Sequence, residues 1–438
     1  SVPGARRTRH ERVTTLPTMT LAASAFKAYD VRGLVPGEID AEGAYRVARA
    51  FAHVFEPRRI VIGHDMRVSS PELAEAAIQG ALDGGADVDA LGLIGTEMMY
   101  YAVGEHGYDG GINVTASHNP GEYNGIKMVR REAFPLSGEA GIGEIRDMVT
   151  TGHIPPPTRP RGGLEHAEIL DGYVERVMGS IDPAVIKPFK VVLDAGSGMA
   201  GLVAPRLFER LPCRTTRLCF EIDGRFPNHE ANPLIEENRQ DITAEVIRQK
   251  ADIGIAWDGD ADRCFFIDGS GEFIAGDFIT ALLAEAALMK QPGSTIVYDV
   301  RASYAVKDTV AKYHGTALMN RVGHAFIKRR MREESEFWQR PLNRIRALRV
   351  ERDFAVMISL NAMRLPCHLG ILVAAVVELK LVVCLQHRGV MPIRSRQRDR
   401  RHQLRRVQLQ CGVLQQQRPR PAVRRGGDGG RREGGVAP

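Results

Sequence analysis

The stretch RRIVIGHDMRVSSPELAEAAIQGALDGGADVDALGLIGT (58–96) predicts a strand, a helix and a second strand in immediate succession. Residues 58–65 form a short β-rich run, after which Ser70 can cap a helix and Pro71 fits its first turn. The helix would bury one apolar face, made of Leu73, Ala77, Ile78, Ala81 and Leu82. The segment 87–96 then has the composition of another strand, so the stretch predicts a βαβ unit.

The same alternation of strand and helix occurs twice more in the chain. It appears in FKVVLDAGSGMAGLVAPRLFERL (189–211) and again in STIVYDVRASYAVKDTVAKYHG (294–315). In the last of these, Val306, Val310 and Tyr313 share a helical face, and Gly315 suits a helix C-cap. Three such units in series predict an α/β protein built of serial mixed α/β domains.

Segments rich in proline and glycine mark the predicted domain boundaries. TTGHIPPPTRPRGGLEH (150–166) has the composition of a linker, because its prolines exclude it from the interior of a helix or a central strand. DGSGEFIAGD (268–277) predicts a hairpin turn before a helix capped by Asp277. We therefore predict a leader or disordered arm (1–18), three domains (19–155, 160–272 and 273–334) and an atypical tail (335–438).

The tail differs from the rest of the chain in charge. The whole chain carries a formal net charge of +6, but residues 335–438 hold 21 Lys and Arg against 7 Asp and Glu, and 20 of those 21 cations are arginine. The tail also lacks a sustained helical or strand period, so it does not match a packed domain. An arginine-rich tail could bind nucleic acid or acidic lipid, with strong salt dependence. Few aromatic residues are interleaved with the arginines, which disfavours single-stranded nucleic acid as a partner.

Composition also bears on the compartment. The longest apolar run, LGILVAAVVELKLVVCL (369–385), is interrupted by Glu378 and Lys380, and a spanning helix needs about 20 mostly apolar residues. We therefore expect no membrane span. The six cysteines form no CxxC pair, which favours a reducing, cytoplasmic setting.

The segment DIGIAWDGDADRCFFIDGSGE (252–272) contains a candidate metal site. Asp258, Asp260 and Asp262 follow a predicted strand at alternate positions, and an all-oxygen ligand set suits a hard cation such as Mg²⁺. A solvated acidic turn is the simpler alternative. An EF-hand loop is excluded, because it requires Gly and Glu where this chain has Arg263 and Gly269. Arg263 is also placed to bind an anion that bridges the metal.

The segment GGINVTASHNPGEYNGIKM (110–128) contains a candidate nucleophile. Ser117 is followed by His118, but no GxSxG motif supports a hydrolase. A serine that carries phosphate beside a divalent ion fits better, with cations to balance the charge of the moving group. Lys127 and Arg32 are candidates for that role, although each by itself could be an ordinary surface cation.

Four segments together resemble the α-D-phosphohexomutases, in particular their phosphomannomutase/phosphoglucomutase branch. They are FKAYDVRG (26–33), TASHNPGEYNGIK (115–127), DGDADR (258–263) and RVGHAFIK (321–328), and they occur in the order and approximate spacing of that family. The resemblance extends over about residues 20–334.

This resemblance implies roles for individual residues. Ser117 would be a phosphoserine that gives and regains a phosphoryl group, and one of its phosphate oxygens would complete a Mg²⁺ site. The metal ligands would be Asp258, Asp260 and Asp262. The groups around the phosphoryl group would be Arg32, Lys127, His118 and Arg263. In the third domain, Arg301 and His324 match positions that bind substrate.

The resemblance also implies an activity. The enzyme would transfer phosphate reversibly between C6 and C1 of a hexose phosphate through a 1,6-bisphosphate, with hexose 1,6-bisphosphate as activator. It would act as a monomer or dimer. A non-catalytic protein that binds phospho-sugar, or nucleic acid through its basic tail, is the alternative.

The resemblance ends near residue 334. The family's GEMSGH-like sugar loop and RxSNTEP-like phosphate loop do not follow, so a missing or replaced fourth domain is predicted. We hypothesise that residues 335–438 are an out-of-frame or otherwise unrelated continuation, which could impair this chain. If the alternative reading frames beyond codon 334 encode no such loops, this hypothesis fails.

Overall fold

A computed structural model describes residues 21–136, 138–323, 326, 327, 329–331, 334, 357 and 358. The predicted leader (1–18), the predicted substrate-binding residue His324 and the predicted tail (335–438), apart from two residues of a short strand, lie outside the described residues. The described part of the chain forms three β-sheets, one after another along the sequence, with helices between the strands.

The first sheet has seven strands. They are β1 (Asp30–Leu34), β2 (Arg59–His64), β3 (Asp87–Leu93), β4 (Gly110–Val114), β5 (Tyr123–Arg130), β6 (Phe134–Pro135) and β7 (Leu164–His166). The accompanying helices are α1 (Ala41–Phe55), α2 (Ser70–Asp83), α3 (Thr96–Glu105) and α4 (Gly143–Thr151). The strand order is β1-β5-β4-β2-β3-β7, with β6 added to β5. Strands β4, β2, β3 and β7 are parallel, whereas β5 is antiparallel to both β1 and β4.

The predicted βαβ unit is confirmed by β2, α2 and β3. The apolar face of α2 is buried as expected, and it packs into the core of the first sheet. The predicted cap is wrong, since Ser70 is the first helical residue and Ser69 precedes the helix. The Ser70 hydroxyl instead donates to Asp65 Oδ1 over 2.6 Å. It is therefore used to fix the loop between β2 and α2.

The second sheet has five strands. They are β8 (Lys190–Asp194), β9 (Arg214–Leu218), β10 (Ile253–Trp257), β11 (Cys264–Asp268) and β12 (Phe273–Ile274). The helices here are α5 (Leu170–Met178), α6 (Ala200–Phe208) and α7 (Gln240–Gln249). The order is β12-β11-β10-β8-β9. Strands β9, β8 and β10 are parallel, whereas β11 is antiparallel to both β10 and β12. The predicted hairpin turn is the connection of β11 to β12.

The third sheet is smaller. Its elements are α8 (Gly276–Lys290), β13 (Thr295–Asp299), α9 (Tyr304–Lys312), β14 (Thr316–Asn320) and β15 (Met357–Ile358). The three strands are parallel in the order β14-β13-β15. Val306 and Val310 are buried as predicted. Two predicted caps are wrong: Ala275, not Asp277, precedes α8, and α9 already ends before Tyr313 rather than at Gly315.

The first and second sheets share packed side chains. Strand β7 pairs with β3, so residues 164–166, which fall within the predicted second domain (160–272), extend the first sheet. Helix α5 then packs against α3, where the rings of Tyr101 and Tyr173 lie 5.6 Å apart between centroids. One continuous apolar core includes residues from both regions. Among the described residues, no helix is long and apolar enough to cross a membrane.

Candidate active site

The serine loop (residues 115–122) joins β4 to β5 at the carboxyl end of β4. Ser117 lies at its centre, fully buried, with a left-handed backbone φ of 56°. Its amide donates to Thr115 Oγ1 over 2.9 Å. A non-glycine residue is uncommon in this conformation, so the loop must hold Ser117 there through such contacts.

The acidic turn (residues 258–263) joins β10 to β11. Its three aspartates are all fully buried. The turn is closed by the Ala261 amide, which donates to the Asp258 carbonyl over 2.9 Å. Gly259 faces the serine loop so closely that a Cβ there would lie 2.5 Å from the Ser117 carbonyl oxygen. Only glycine allows the two backbones to approach in this way.

The two turns meet at the Ser117 hydroxyl, although Ser117 and Asp258 are 141 residues apart. Ser117 Oγ donates to Asp258 Oδ2 over 2.7 Å. It also accepts a hydrogen bond of 2.7 Å from Arg263 Nη2. A phosphoryl group carried by this oxygen would therefore form beside both a carboxylate cluster and a guanidinium.

Lys127 on β5 supplies a second cation to the cluster. It is buried, and its Nζ donates to Asp260 and, over 2.7 Å, to Asp262 Oδ2. Thr96 supports the arrangement, because its hydroxyl donates to Asp260 Oδ2 over 2.5 Å. Asn113 Nδ2 in turn donates to Thr96 Oγ1 over 3.1 Å. The Asp260 carboxylate, which follows β10 of the second sheet, is therefore oriented by residues of β4, β5 and α3 from the first sheet region.

Burial and neighbouring charge act in opposite directions on the aspartates. Burial raises the pKa of Asp258 well above its usual range, although the charge of Arg263 opposes this. For Asp260, burial and the charge of Asp262 also act to raise the pKa, but Lys127 and Arg263 outweigh them, so the pKa is lowered. Three buried aspartates face the two cations Lys127 and Arg263, so a further positive charge would favour the ionised form of all three, including Asp258.

The cluster fits a divalent cation. One oxygen from each of Asp258, Asp260 and Asp262 lies within 4.8 Å of the other two. Asp260 Oδ1 is buried and has no hydrogen-bond partner among the described residues. An unpartnered buried carboxylate oxygen is costly unless a cation or water satisfies it. The all-oxygen donor set suits Mg²⁺ better than a softer metal.

The structure brings the five predicted catalytic residues together at the serine loop and places Arg301 elsewhere in the chain. Arg32 Nη1 donates to Ala116 O over 3.1 Å and to Asn119 Oδ1 over 2.6 Å, so it supports the serine loop. Arg301 follows β13 in the third sheet and pairs with Asp299 over 2.7 Å.

His118 lies beside the Ser117 hydroxyl. Its Nδ1 is 3.5 Å from Ser117 Oγ. Burial, followed by the charges of Arg263 and Arg32, lowers the pKa of His118 to about 3. At that pKa the imidazole is neutral at physiological pH.

Three residues that contact the candidate site were not predicted from the sequence: Thr96, Asn113 and Arg67. Thr96 and Asn113 form the network behind Asp260, and Arg67 contacts the serine loop from the segment after β2. Each is a polar residue near the carboxyl end of a parallel strand. That position could have indicated these residues from the sequence, because ligand sites of open α/β sheets lie at the carboxyl edge of the parallel strands.

A second cluster of metal-binding residue types lies at the end of β8. Asp194, Cys219 and His229 also have potential ligand atoms within 4.8 Å of one another. His229 Nδ1 donates to Glu230 O over 3.0 Å, and Nε2 lies 3.1 Å from Asp194 Oδ2. Hydrogen bonding to Asp194 raises the pKa of His229 to about 11. An imidazolium–carboxylate ion pair accounts for this cluster without a metal.

This ion pair predicts a pH-dependent effect on stability. The pKa of His229 is about 11 in the folded chain against 6.5 for an ordinary histidine, so its stabilising effect is full below about pH 6.5 and is lost as the pH rises toward 11. His229→Gln should therefore lower the urea unfolding midpoint more at pH 6 than at pH 10. His153→Gln, at an exposed position, is the control. An equal loss at both pH values would contradict the ion pair.

Comparison with known proteins identifies the family. Three sequence models match the chain: phosphoglucomutase/phosphomannomutase alpha/beta/alpha domain I (residues 23–153), domain II (171–271) and domain III (275–339). The chain belongs to the phosphoglucomutase/phosphomannomutase family. This confirms the resemblance inferred from the motifs and the prediction of serial α/β domains.

Individual relatives agree with this assignment. A phosphomannomutase of Escherichia coli is 43% identical over 340 residues, which cover 76% of this chain and 74% of that protein. The phosphohexose mutases of Xanthomonas campestris pv. campestris (strain B100) are 43% identical over 321 residues, or 72% and 70% of the two chains. These relatives make the chain an enzyme of the isomerase and phosphotransferase type.

Solved structures give the same result. The chain matches a phosphoglucomutase/phosphomannomutase family protein from Burkholderia thailandensis with a TM-score of 0.67 and 36% identity, covering 72% of this chain and 70% of that one. A structure from Thermus thermophilus matches with a TM-score of 0.69 at 21% identity, over 82% and 83% of the two chains. At that identity the second match supports the fold alone.

Proposed function

We propose that this chain is a phosphomannomutase/phosphoglucomutase, which moves a phosphoryl group reversibly between C6 and C1 of a hexose phosphate. The observation that carries the proposal is the position of Ser117 Oγ between Asp258 Oδ2 and Arg263 Nη2, at 2.7 Å from each. A hydroxyl placed between a carboxylate cluster and a guanidinium is suited to carry a phosphoryl group.

The reaction would proceed as two phosphoryl transfers. Phosphoserine 117 gives its phosphoryl group to the free hydroxyl of a hexose monophosphate, so the Ser117 O–P bond breaks and a sugar O–P bond forms. The resulting 1,6-bisphosphate turns around and returns its other phosphoryl group to Ser117. In the first step, the sugar hydroxyl that accepts the phosphoryl group loses a proton. In the second step, the sugar oxygen that gives up its phosphoryl group gains a proton, so the two steps balance. Free hexose 1,6-bisphosphate would act as activator by phosphorylating Ser117.

The cations would stabilise the group in transit. Arg263 already contacts Ser117 Oγ, and Lys127 contacts Asp260 and Asp262 of the acidic turn. Both are buried, so their charges act with little screening by water. Fixed charges of this kind favour a transition state with negative charge spread over the phosphoryl oxygens. Neutral His118 can accept or donate a hydrogen bond beside the transferring oxygen.

Mg²⁺ would be held by Asp258, Asp260 and Asp262, and an oxygen of phosphoserine 117 would complete the ligand set. When bound, the ion neutralises charge on the phosphoryl oxygens as a Lewis acid. In the third domain, Arg301 and His324 would contact the hexose phosphate. A cytoplasmic location and a monomeric or dimeric state stay predictions.

A direct assay tests this function. The chain is incubated with Mg²⁺, glucose 1,6-bisphosphate and mannose 1-phosphate, and formation of mannose 6-phosphate is measured. We expect conversion that depends on both the bisphosphate and the divalent ion. Heat-denatured chain gives the background rate. If hexose phosphate binds without being converted, and no phosphate is found on Ser117, the proposal is wrong and the non-catalytic alternative is favoured.

A further inference from the structure

Arg67 forms hydrogen bonds to the backbone of the serine loop. It follows β2, and only 1% of its surface is exposed. Its guanidinium donates to four backbone carbonyls, those of Ser117 (2.9 Å), Asn119 (2.6 Å), Pro120 (2.6 Å) and Tyr123 (2.9 Å). A single buried side chain therefore bonds to three of the six loop carbonyls of residues 117–122 and to the first carbonyl of β5.

The charge of Arg67 is balanced locally. Asp65 Oδ2 lies 3.3 Å from Arg67 Nε, and Asp65 Oδ1 is held by the Arg67 amide over 3.0 Å and by the Ser70 hydroxyl. Burial lowers the pKa of Arg67, while the charge of Asp65 opposes the shift. Asp65 is thus a fixed counter-ion, so the guanidinium can stay charged inside the protein and make strong hydrogen bonds.

The second sheet region covers Arg67. The ring of Phe226 lies over the guanidinium, with 5.4 Å from Cζ to the ring centroid. Gly224 approaches so closely that a Cβ there would lie 2.3 Å from the Met66 carbonyl oxygen. The segment that includes both residues precedes the acidic turn in sequence and belongs to the same part of the chain. It therefore helps to shield Arg67 from water.

These contacts bear on the orientation of the nucleophile. The conformation of Ser117, with φ at 56°, is unfavourable for a residue with a side chain. Arg67 holds the Ser117 carbonyl and, through Asn119 and Pro120, the backbone that follows. A lysine has no planar fork and cannot reach the same set of carbonyls from one position.

We propose that Arg67 is a positioning residue for phosphoryl transfer, which keeps Ser117 in the left-handed conformation that directs its Oγ toward Asp258 and Arg263. The link to catalysis rests on the proposed mutase function, whereas the effect on the loop itself does not. Arg67 has no direct part in the chemistry, because its guanidinium is committed to backbone carbonyls.

The variant Arg67→Lys tests the proposal. We expect kcat to fall by about 100-fold, the loss that a misplacement of roughly 1 Å can cause, while KM for the hexose phosphate changes by less than about threefold because substrate contacts are untouched. The rate of Ser117 phosphorylation by glucose 1,6-bisphosphate should fall in parallel. Arg59→Lys is the matched control, since Arg59 begins β2, the strand that Arg67 follows, and pairs with Asp89 and Glu165 away from the loop.

Hydrogen exchange gives a readout that does not depend on activity. In Arg67→Lys, amides of residues 118–125 should exchange faster than in the parent, while those of α7 in the second sheet region keep their parent rates. A second variant, Arg67→Ala, should regain part of its Ser117 phosphorylation rate when guanidinium ion is added, because the ion can occupy the vacated space.

The possible results separate the explanations. Parent-like kcat and exchange in Arg67→Lys would overturn the proposal. Faster exchange throughout the first sheet, or a rise in KM alone, would also overturn it, since it would indicate a general structural role or a role in binding. If the parent chain takes no phosphate on Ser117, the proposed mutase function fails. The exchange comparison then still decides whether Arg67 positions the serine loop.

Discussion

Replacing Ser117 with alanine is expected to abolish mutase turnover, with a rate loss of at least ~10⁴-fold, as is typical when a nucleophile is removed. The change deletes the one oxygen that contacts both Asp258 and Arg263. The fold should persist, because Thr115 and Arg67 hold the loop through the Ser117 backbone. The measurements are formation of hexose 6-phosphate and transfer of labelled phosphate from the 1,6-bisphosphate to the protein.

Ser197→Ala is a closely matched control. Ser197 is also buried and also has a left-handed φ, 53°, but it lies in the loop after β8. Its replacement should leave the rate near that of the parent. Equal losses of turnover in the two variants would indicate that the effect comes from strain in the backbone. Turnover of Ser117→Ala near that of the parent would refute the role of the serine.

Local sequence patterns predicted much of the fold and the centre of the site. The apolar face of α2 and the strands on either side of it follow from spacing alone, because burial of a helical stripe fixes that pattern. The two turns at Ser117 and Asp258 could also be identified separately as candidate sites, because each places polar side chains directly after a predicted apolar strand. That they meet was inferred through the family resemblance, because 141 intervening residues give no local signal.

The supporting interactions could not be predicted in the same way. The partners of Lys127 are Asp260 and Asp262, and Arg32 contacts the serine loop through Ala116 and Asn119. The contacts of Lys127 depend on how the two sheets pack, and those of Arg32 depend on the pairing of β1 with β5, so neither follows from neighbours in sequence. Helix ends were also misplaced by one or two residues, because a serine or aspartate near a helix start can equally bond to a nearby loop, as Ser70 does.

The variant Asp260→Asn, which removes the charge of one proposed ligand, is expected to weaken binding of Mg²⁺ by at least ~100-fold. A smaller loss is usual when the changed residue only holds a metal ligand in place. Asp260 Oδ2 accepts from both Lys127 and Thr96. In the variant, the amide oxygen must occupy that position to accept the same two hydrogen bonds. The amide NH₂ then takes the place of Oδ1, the buried oxygen without a partner among the described residues. A donor would therefore face the position that suits a cation.

Calorimetric titration of the dialysed chain with Mg²⁺ measures this effect without reference to turnover. Asp241→Asn is the control, because Asp241 is an exposed acid in the first turn of α7 and undergoes the same change in charge. Mutase turnover of Asp260→Asn should fall as well, and saturating Mg²⁺ should restore only part of it, because Lys127 loses a charged partner and shifts within the site. Unchanged Mg²⁺ affinity in Asp260→Asn would show that the acidic turn is not the metal site, whatever happens to the rate.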